Sequence, residues 1–478
     1  MGTKRYYSPK EKEAIFVERI RSIAPDSWEK YCNLVLHENM TMDEVRYMNF
    51  RKRIDILRYA YDNTVFYREF YNSVGLEPGD IKSENDWDKV PSVTKDMVRE
   101  RGNDMIAGGM NGDVFRRFAQ MNATGGSTGR PLLVYCDKRY DNNDYWHWRH
   151  RGWWLGRELG KPLSDDVAVL GQNQAFVWRA GGLGMSDKVI ARMRRIFYPT
   201  MYFYLNAQDM SEENVERFIN EVNEYGVGYL HAYTGAAQQL AEEMLKGHMA
   251  FKSKPRVVSV TCTPLTEDVR KVIEAAFDAP VFDVYGCNET NWLSVGCRAD
   301  KHGMHVLDDL CHIDLVNEDG KAIHDEQEGS VLATSFENRV CPFIKYALGD
   351  RTHFITAPCD CGLPFSRIAS VKGRESDYLV DINGRKIFGW NASFDADEFQ
   401  GCVKQFQYVQ NANGEVLMKI VPNRENPHWT ATFSAFKAKW LDQFEDGGRL
   451  HFIIQEVDEI PHDGGKIRFI IRNEEKSV

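Results

Sequence analysis

Two groups of residues in this 478-residue chain have the composition of a chemical site. The first is the loop from Ala123 to Pro131 within MNATGGSTGRPLLVY, where Gly125, Gly126 and Gly129 are interleaved with the hydroxyls of Thr124, Ser127 and Thr128. Gly125 to Gly129 matches G-x-S-x-G, the pattern of a serine nucleophile on a tight elbow, here Ser127. The same residues offer backbone N–H groups and hydroxyls to a phosphate chain. The second group is Cys359-Asp360-Cys361 with Cys297 and His305 upstream. Three thiolates and one imidazole suit tetrahedral zinc in a structural role, because four protein ligands leave no open position for catalysis. His302 and His312 compete with His305 for the fourth place.

The elements around these residues read in three parts. In the first hundred residues, Tyr47, Phe50, Ile54, Leu57 and Tyr61 recur at three- and four-residue steps, which predicts a helix with one apolar stripe facing a core. The middle alternates: SEENVERFINEVNEY is helical behind an N-cap Ser211, VGYLHAY a buried strand, GAAQQLAEEMLKG a helix. RVVSVTC, PLTEDVRKVIEAAF and PVFDVYG then follow as strand, helix and strand. Such alternation with short joins implies parallel strands linked by helical crossovers, with ligands at the carboxyl ends of the strands. HAYTG and YGCNET fall at those ends. Beyond Val371 the texture changes. DYLVDINGRKIFG predicts a hairpin turning at Asn383-Gly384, and KQFQYVQ, NANG and EVLMKIVP a second hairpin. A stripe of Phe433, Phe436, Trp440 and Phe444 predicts a helix, and LHFIIQEV an apolar strand. The boundary of this α+β unit is placed near Gly373.

The bulk properties narrow the class. A chain of this length exceeds one ordinary core. The formal net charge of −10 argues against a surface built to coat nucleic acid. No window approaches eighteen uninterrupted apolar residues, so no membrane span is expected. The opening MGTKRYYSPKEKEAIF lacks the apolar run of an export signal, and Gly2 is not followed by the hydroxyl residue that myristoylation favours. Ten cysteines in such a chain read as reduced thiols, and a cytoplasmic enzyme is the expectation. Tyr140 to Gly156 interleaves tryptophan with arginine, a composition known from single-strand binders. Tyr145, Trp148 and Trp153 nevertheless fit one helical face, which favours a core or pocket wall.

Local sequence separates the two readings of the glycine loop. An elbow passes from strand directly into helix, whereas Pro131 would clash with the Ser127 carbonyl inside a helix, and LLVYC beyond it is β-rich. No Gly-Lys-Ser/Thr ends the run, so it is not a Walker loop. Thr124 to Pro131 instead resembles the phosphate-binding loop of the acyl-adenylate-forming (AMP-binding) superfamily. Four further segments resemble that superfamily in the same order: VYGCNET, YALGD, VKGRESDYL and GGKIRF. Within it, LRYAYDNTVFYREFYNSVGLEPGDIKSENDWDKVPSVTKDMVRE and CPFIKYALGDRTHFITAPCDCGLPFSRIASVKGR are similar to the phenylacetate–coenzyme A ligase group. The likeness runs from about Arg46 to Arg472.

The resemblance implies an α/β protein with a large N-terminal adenylate-forming domain, residues 1–373, holding mostly parallel sheets flanked by helices. A small mobile α+β C-terminal domain, residues 374–478, would follow. The implied activity is ATP-dependent conversion of an aromatic carboxylic acid to an acyl-adenylate, then transfer to coenzyme A. Transfer to an amine, or of AMP to a cofactor, is the alternative, and a serine hydrolase using Ser127 a remote one. Thr124, Gly125, Gly126, Ser127, Thr128 and Gly129 would cradle the ATP phosphates, and Arg130 would add charge. Glu289 would hold Mg2+ through hard oxygen ligation. Tyr285, with Gly286, would stack on adenine, Asp350 accept the ribose hydroxyls, and Arg374 lie near ribose or hinge. Lys466 would bridge the acid and the α-phosphate as charge develops. Tyr233 and GQNQAFVWRAGG are candidate acyl-pocket lining. Relatives with this Cys-x-Cys pair imply structural zinc on Cys297, His305, Cys359 and Cys361. The partners expected are a small-molecule carboxylic acid, ATP and an acceptor, with a homodimer admissible. Ser376 and Thr263 stand where the family more often places acidic residues, which bears on the acceptor more than on adenylation.

Overall fold

A computed structural model of the chain describes residues 7–123, 132–141, 145–155, 168–178, 186–247, 249–262, 265, 267–371, 378–382, 386–388, 402–411, 414–424, 426–431, 433–434, 450–460 and 470–472. They fall into two compact units, Met1–Gln120 with Tyr135–Gly373, and Met121–Val134 with Arg374–Val478.

The first unit opens on helices set by local chemistry. Pro9–Ile23 and Met42–Asn63 each begin with a capping box, Ser8 with Glu11 and Thr41 with Glu44. The buried face of Met42–Asn63 is not the stripe that spacing predicts. Ile54 and Leu57 of that stripe are buried, but they share the inward face with Val45, Asn49, Arg53, Ile56 and Ala60, while Tyr47 is 67% exposed. The helix is rolled because its polar residues find partners inside. Asn49 Nδ2 donates to the Asp308 and Cys311 carbonyls at 2.8 and 2.9 Å, and Arg53 pairs with Glu84 at 2.6 Å. A satisfied buried amide costs less than its burial alone would suggest.

Two strands, β1 (Ala119–Ala123) and β2 (Leu133–Asp137), flank the glycine loop and pair with each other. Next come β3 (Gln174–Trp178), β4 (Tyr202–Asn206), β5 (Tyr229–Tyr233), β6 (Val257–Thr261) and β7 (Val281–Cys287), paired in parallel. The helices Asp187–Phe197, Glu212–Tyr225, Thr234–Lys246 and Glu267–Phe277 are the crossovers. Ser211 sits at the N-cap of Glu212–Tyr225, but its hydroxyl makes no cap bond. The antiparallel strands β8 (Asn291–Gly296) and β9 (Gly303–Val306) extend the sheet. Strands β10 (Cys311–Val316), β11 (Ala322–Ile323), β12 (Gly329–Ser335) and β13 (Tyr346–Thr352) form a separate antiparallel sheet in the order β11-β10-β12-β13. With β14 (Arg367–Ala369) the large sheet has eight strands, ordered β14-β9-β8-β7-β6-β5-β3-β4.

The Trp/Arg-rich stretch folds as the helix Tyr145–Trp154, buried along nearly all of its length. It packs on the face of the large sheet that carries His231 and Phe282. Trp154 stacks on Phe282 with centroids 5.5 Å apart, and His147 meets His231 edge-on at 5.1 Å. One of its two arginines serves an internal ion pair: Arg149 holds Asp309 through both terminal guanidinium nitrogens, and neither side chain is exposed. No described helix is long and apolar enough to cross a membrane.

The second unit contains the hairpin β15 (Tyr378–Val380) and β16 (Lys386–Phe388), the first of the two expected. The second is β17 (Val403–Gln410) with β18 (Val416–Pro422). β19 (Phe452–Glu456) adds in parallel to β18, and β20 (Ile470–Arg472) in parallel to β17. Its core gathers Leu379, Phe406, Tyr408, Met418, Ile420 and Phe452, with Phe433 packed in from the aromatic stripe. Phe436, Trp440, Phe444 and the Asn383-Gly384 turn lie outside the described residues.

Candidate active site and metal centre

Near the carboxyl end of β7, Tyr285 and Gly286 lead through the turn Asn288–Thr290 into β8. Gly286 has a steric reason to be glycine. A Cβ there would lie 2.6 Å from the Asn291 carbonyl oxygen and 2.8 Å from the Trp292 Cα, both backbone of the returning strand. From the other sheet, β13 contributes Tyr346 and Asp350, with Gly349 between them at φ +82°, a left-handed conformation suited to glycine.

Two hydrogen bonds join the segments. Tyr285 Oη donates to Asp350 Oδ2 at 2.9 Å, and Tyr346 Oη donates to Glu289 Oε1 at 3.0 Å. Glu289 is 5% exposed and Tyr346 fully buried. Burial, then the facing carboxylate, holds both phenols far above their ordinary range, so each remains a proton donor. Beside them, Cys287 Sγ and Thr290 Oγ1 are 3.0 Å apart, which ties the ends of the turn together. The result is a buried carboxylate suited to a hard cation and a second, less buried one whose Oδ1 has no hydrogen-bond partner among the described residues.

The four predicted residues Tyr285, Gly286, Glu289 and Asp350 are thus brought together. Tyr233 stands at the end of β5, two strands away in the sheet, buried and stacked on Trp178 at 4.0 Å. Thr124 to Gly129, Arg374 and Lys466 lie outside the described residues, as do Thr263 and Ser376. The elements around the glycine loop do bear on its reading. The next described element after the loop is strand β2, as the β-rich LLVYC predicts, while Ser127 itself lies outside the described residues.

The four thiol and imidazole residues converge from three places: Cys297 just after β8, His305 on β9, and Cys359 with Cys361 before β14. Their ligand atoms all lie within 4.8 Å of one another. Cys297 Sγ is 3.4 Å from Cys359 Sγ, and His305 Nε2 is 3.1 Å from Cys361 Sγ. The cysteines are free thiols. His305 Nδ1 faces the Phe365 carbonyl at 3.4 Å, the orientation that leaves Nε2 for a ligand. The hydrogen bond from Cys361 favours the Cys297 thiolate, and the same contact pushes Cys361 up. Burial would lower His305, yet its contacts with Cys297 and Cys359 raise it to about 9. The competing histidines drop out: His302 is exposed, and His312 Nε2 faces Asp314 at 3.3 Å.

Sequence reasoning missed Tyr346 as the partner of Glu289, although it opens the recognised YALGD segment. It also missed His231, whose buried ring sits between β5 and the tryptophan-rich helix. Its signal was the histidine inside an otherwise apolar strand.

No family model matches the chain. The phenylacetate-coenzyme A ligase of Escherichia coli is 24% identical over 385 residues, covering 79% of this chain and 82% of that protein. The enzyme of the same name from Thermus thermophilus is 22% identical, covering 73% and 75%. Protein CapK of Staphylococcus aureus is 22% identical over 88% and 87%. Among solved structures, a 2-hydroxyisobutyryl-CoA ligase in complex with 2-HIB-AMP and CoA superposes with a TM-score of 0.59 at 18% identity, over 92% of each chain. The same ligase in its postadenylation state gives 0.55. Sequence likeness over about three quarters of the chain and a shared fold over nearly its whole length lead to one resemblance: the chain is similar to the phenylacetate–coenzyme A ligase group and has the fold of the adenylate-forming ligases.

Proposed function

We propose that the protein is an AMP-forming acid–thiol ligase whose substrate is an aromatic carboxylic acid. A carboxylate acylates poorly because its leaving group is oxide. Attack of its oxygen on the α-phosphorus of ATP forms the acyl-adenylate and releases pyrophosphate. The thiol of coenzyme A then takes the acyl carbon, forming a thioester and releasing AMP. The observation that carries the reading is the double pairing of Tyr285 with Asp350 and Glu289 with Tyr346, between the carboxyl end of the parallel strand β7 with its following turn and strand β13 of the other sheet. The names of the relatives and the coenzyme A in the solved ligase support the thiol acceptor.

Within this reading, Glu289 fits Mg2+, which would supply charge neutralisation to the phosphates when bound. Asp350, held by Tyr285, accepts the ribose hydroxyls. Thr124 to Gly129 surround the phosphates, Arg374 serves the ribose side, and Lys466 stabilises charge building between acid and α-phosphate. Structural zinc on Cys297, His305, Cys359 and Cys361 belongs to the same proposal. Three thiols and an imidazole within bonding reach of a common centre fit tetrahedral zinc. It would tie β8 and β9 to the segment before β14.

Exchange of labelled pyrophosphate into ATP that depends on an added carboxylic acid tests the adenylation step. Product analysis with coenzyme A against amines tests the acceptor. Failure of every acid in a broad panel would overturn the reading. Ester hydrolysis abolished by Ser127→Ala would put the hydrolase in its place.

A further inference from the structure

On the face of the large sheet under the tryptophan-rich helix lies a polar group with an open valence. His231 is 6% exposed on the interior strand β5. Its Nδ1 is 2.6 Å from Ser259 Oγ on β6, directly across the ladder. Its Nε2 is buried with no hydrogen-bond partner among the described residues, and so is the indole Nε1 of Trp178. The two rings are stacked at 4.9 Å and 20°. Tyr233, one pleat nearer the strand end, stacks on the same indole, and His147 and Trp292 close the sides at 5.1 and 5.9 Å. The two nitrogens therefore lie buried among flat aromatic rings, with no hydrogen-bond partner among the described residues. A buried unmet donor or acceptor costs about 1–3 kcal/mol, so such a pair points to a ligand that meets it.

The chemistry of the missing partner is constrained. Trp178 Nε1 is only a donor. Burial keeps His231 neutral, lowering it to about 3, so Nε2 is a donor if Ser259 donates to Nδ1 and an acceptor if Nδ1–H donates to Ser259. A hydroxyl accepts from the indole and serves the imidazole in either tautomer, which no carbonyl or ammonium group does. We propose, on top of the acid-activating reading, that the substrate class is a ring-hydroxylated aromatic carboxylic acid, its hydroxyl bound by His231 Nε2 and Trp178 Nε1 and its ring lying against the indole and Tyr233. His231 is then a specificity residue.

The test compares phenylacetate with its 3- and 4-hydroxy forms, and benzoate with its hydroxy forms, in the acid-dependent pyrophosphate exchange. Wild-type protein should favour a hydroxylated acid over its unsubstituted parent by about 10- to 100-fold in kcat/KM, because the parent leaves both nitrogens unmet. His231→Phe should shrink that ratio toward one, and His231→Gln, which restores a polar atom, should recover part of it. Equal use of the parent acids, or a ratio that His231→Phe leaves intact, overturns the proposal while leaving acid activation standing. Exchange with no acid overturns both. Should His231→Phe be insoluble, a crystal structure of the wild-type protein with the preferred acid decides: a hydroxyl oxygen within about 3.2 Å of His231 Nε2 upholds the contact, and its absence refutes it.

Discussion

Removing one phenolic oxygen should measure how the two motif segments hold each other. In Tyr346→Phe the ring keeps its place, but Glu289, 5% exposed, loses the donor now 3.0 Å away. A hydrogen bond to a charged group is worth about 1.5–3 kcal/mol, and the freed carboxylate gains no compensating water while buried. At an unfolding entropy of about 2.1 cal/mol/K per residue, a unit as long as the first one translates this into a Tm lower by about 2–4 °C. Differential scanning calorimetry reads the shift, and urea titration reads the free energy. Glu289→Gln and the double variant complete a cycle. The bond is strong only if its charge is engaged, so the coupling energy should reach about 1–2 kcal/mol. A single-variant loss below about 0.5 kcal/mol with an additive cycle would refute the view that this pair anchors β13 to the turn after β7.

Arg149→Met should destabilise the protein by about 3–5 kcal/mol, since it takes the guanidinium from the fully buried Asp309 and leaves it the His37 contact at 3.0 Å and the field of Lys52; denaturant unfolding at pH 7 checks this. Burial alone would raise Asp309, but Arg149 and His37 hold it well below the usual carboxylate range. Its contribution is therefore full above about pH 4 and lost as pH falls further, an acid sensitivity that should be weaker in Asp309→Asn; equal acid slopes would refute the assignment. Protein purified in reducing buffer should carry about one zinc per chain, and Cys359→Ser should lose most of it and unfold at lower temperature; metal-free wild-type protein by elemental analysis would end the zinc proposal. Lys466→Ala should abolish acyl-adenylate formation yet still consume pre-formed adenylate with coenzyme A, and unchanged pyrophosphate exchange would remove Lys466 from the chemistry.

Much of the first unit's middle was legible because its interactions are local. Strand and helix periods and short joins from Ser211 to Val284 are written in consecutive residues, and the observed parallel strands follow them. The zinc-like set was legible in part: the Cys359/Cys361 pair with Cys297 stood out by type and spacing, while His302, His305 and His312 competed until the fold put His305 Nε2 3.1 Å from Cys361 Sγ. The Met42–Asn63 helix shows the limit. Its apolar spacing favoured Tyr47 as an inward residue, but the partners that draw Asn49 inward are carbonyls about 260 residues away. No local pattern carries that information.

Residue types and order determined by themselves that this chain has the parts of an adenylate-forming protein: a hydroxyl- and glycine-rich loop, two tyrosine-led acidic segments and a clustered thiol set. Only the tertiary structure decided which of those parts meet. Tyr346 became the donor to Glu289, Arg149 an internal counterion, and His231 a half-satisfied group under an aromatic lid, because hydrogen bonds act over about 3 Å of space whatever the distance along the chain.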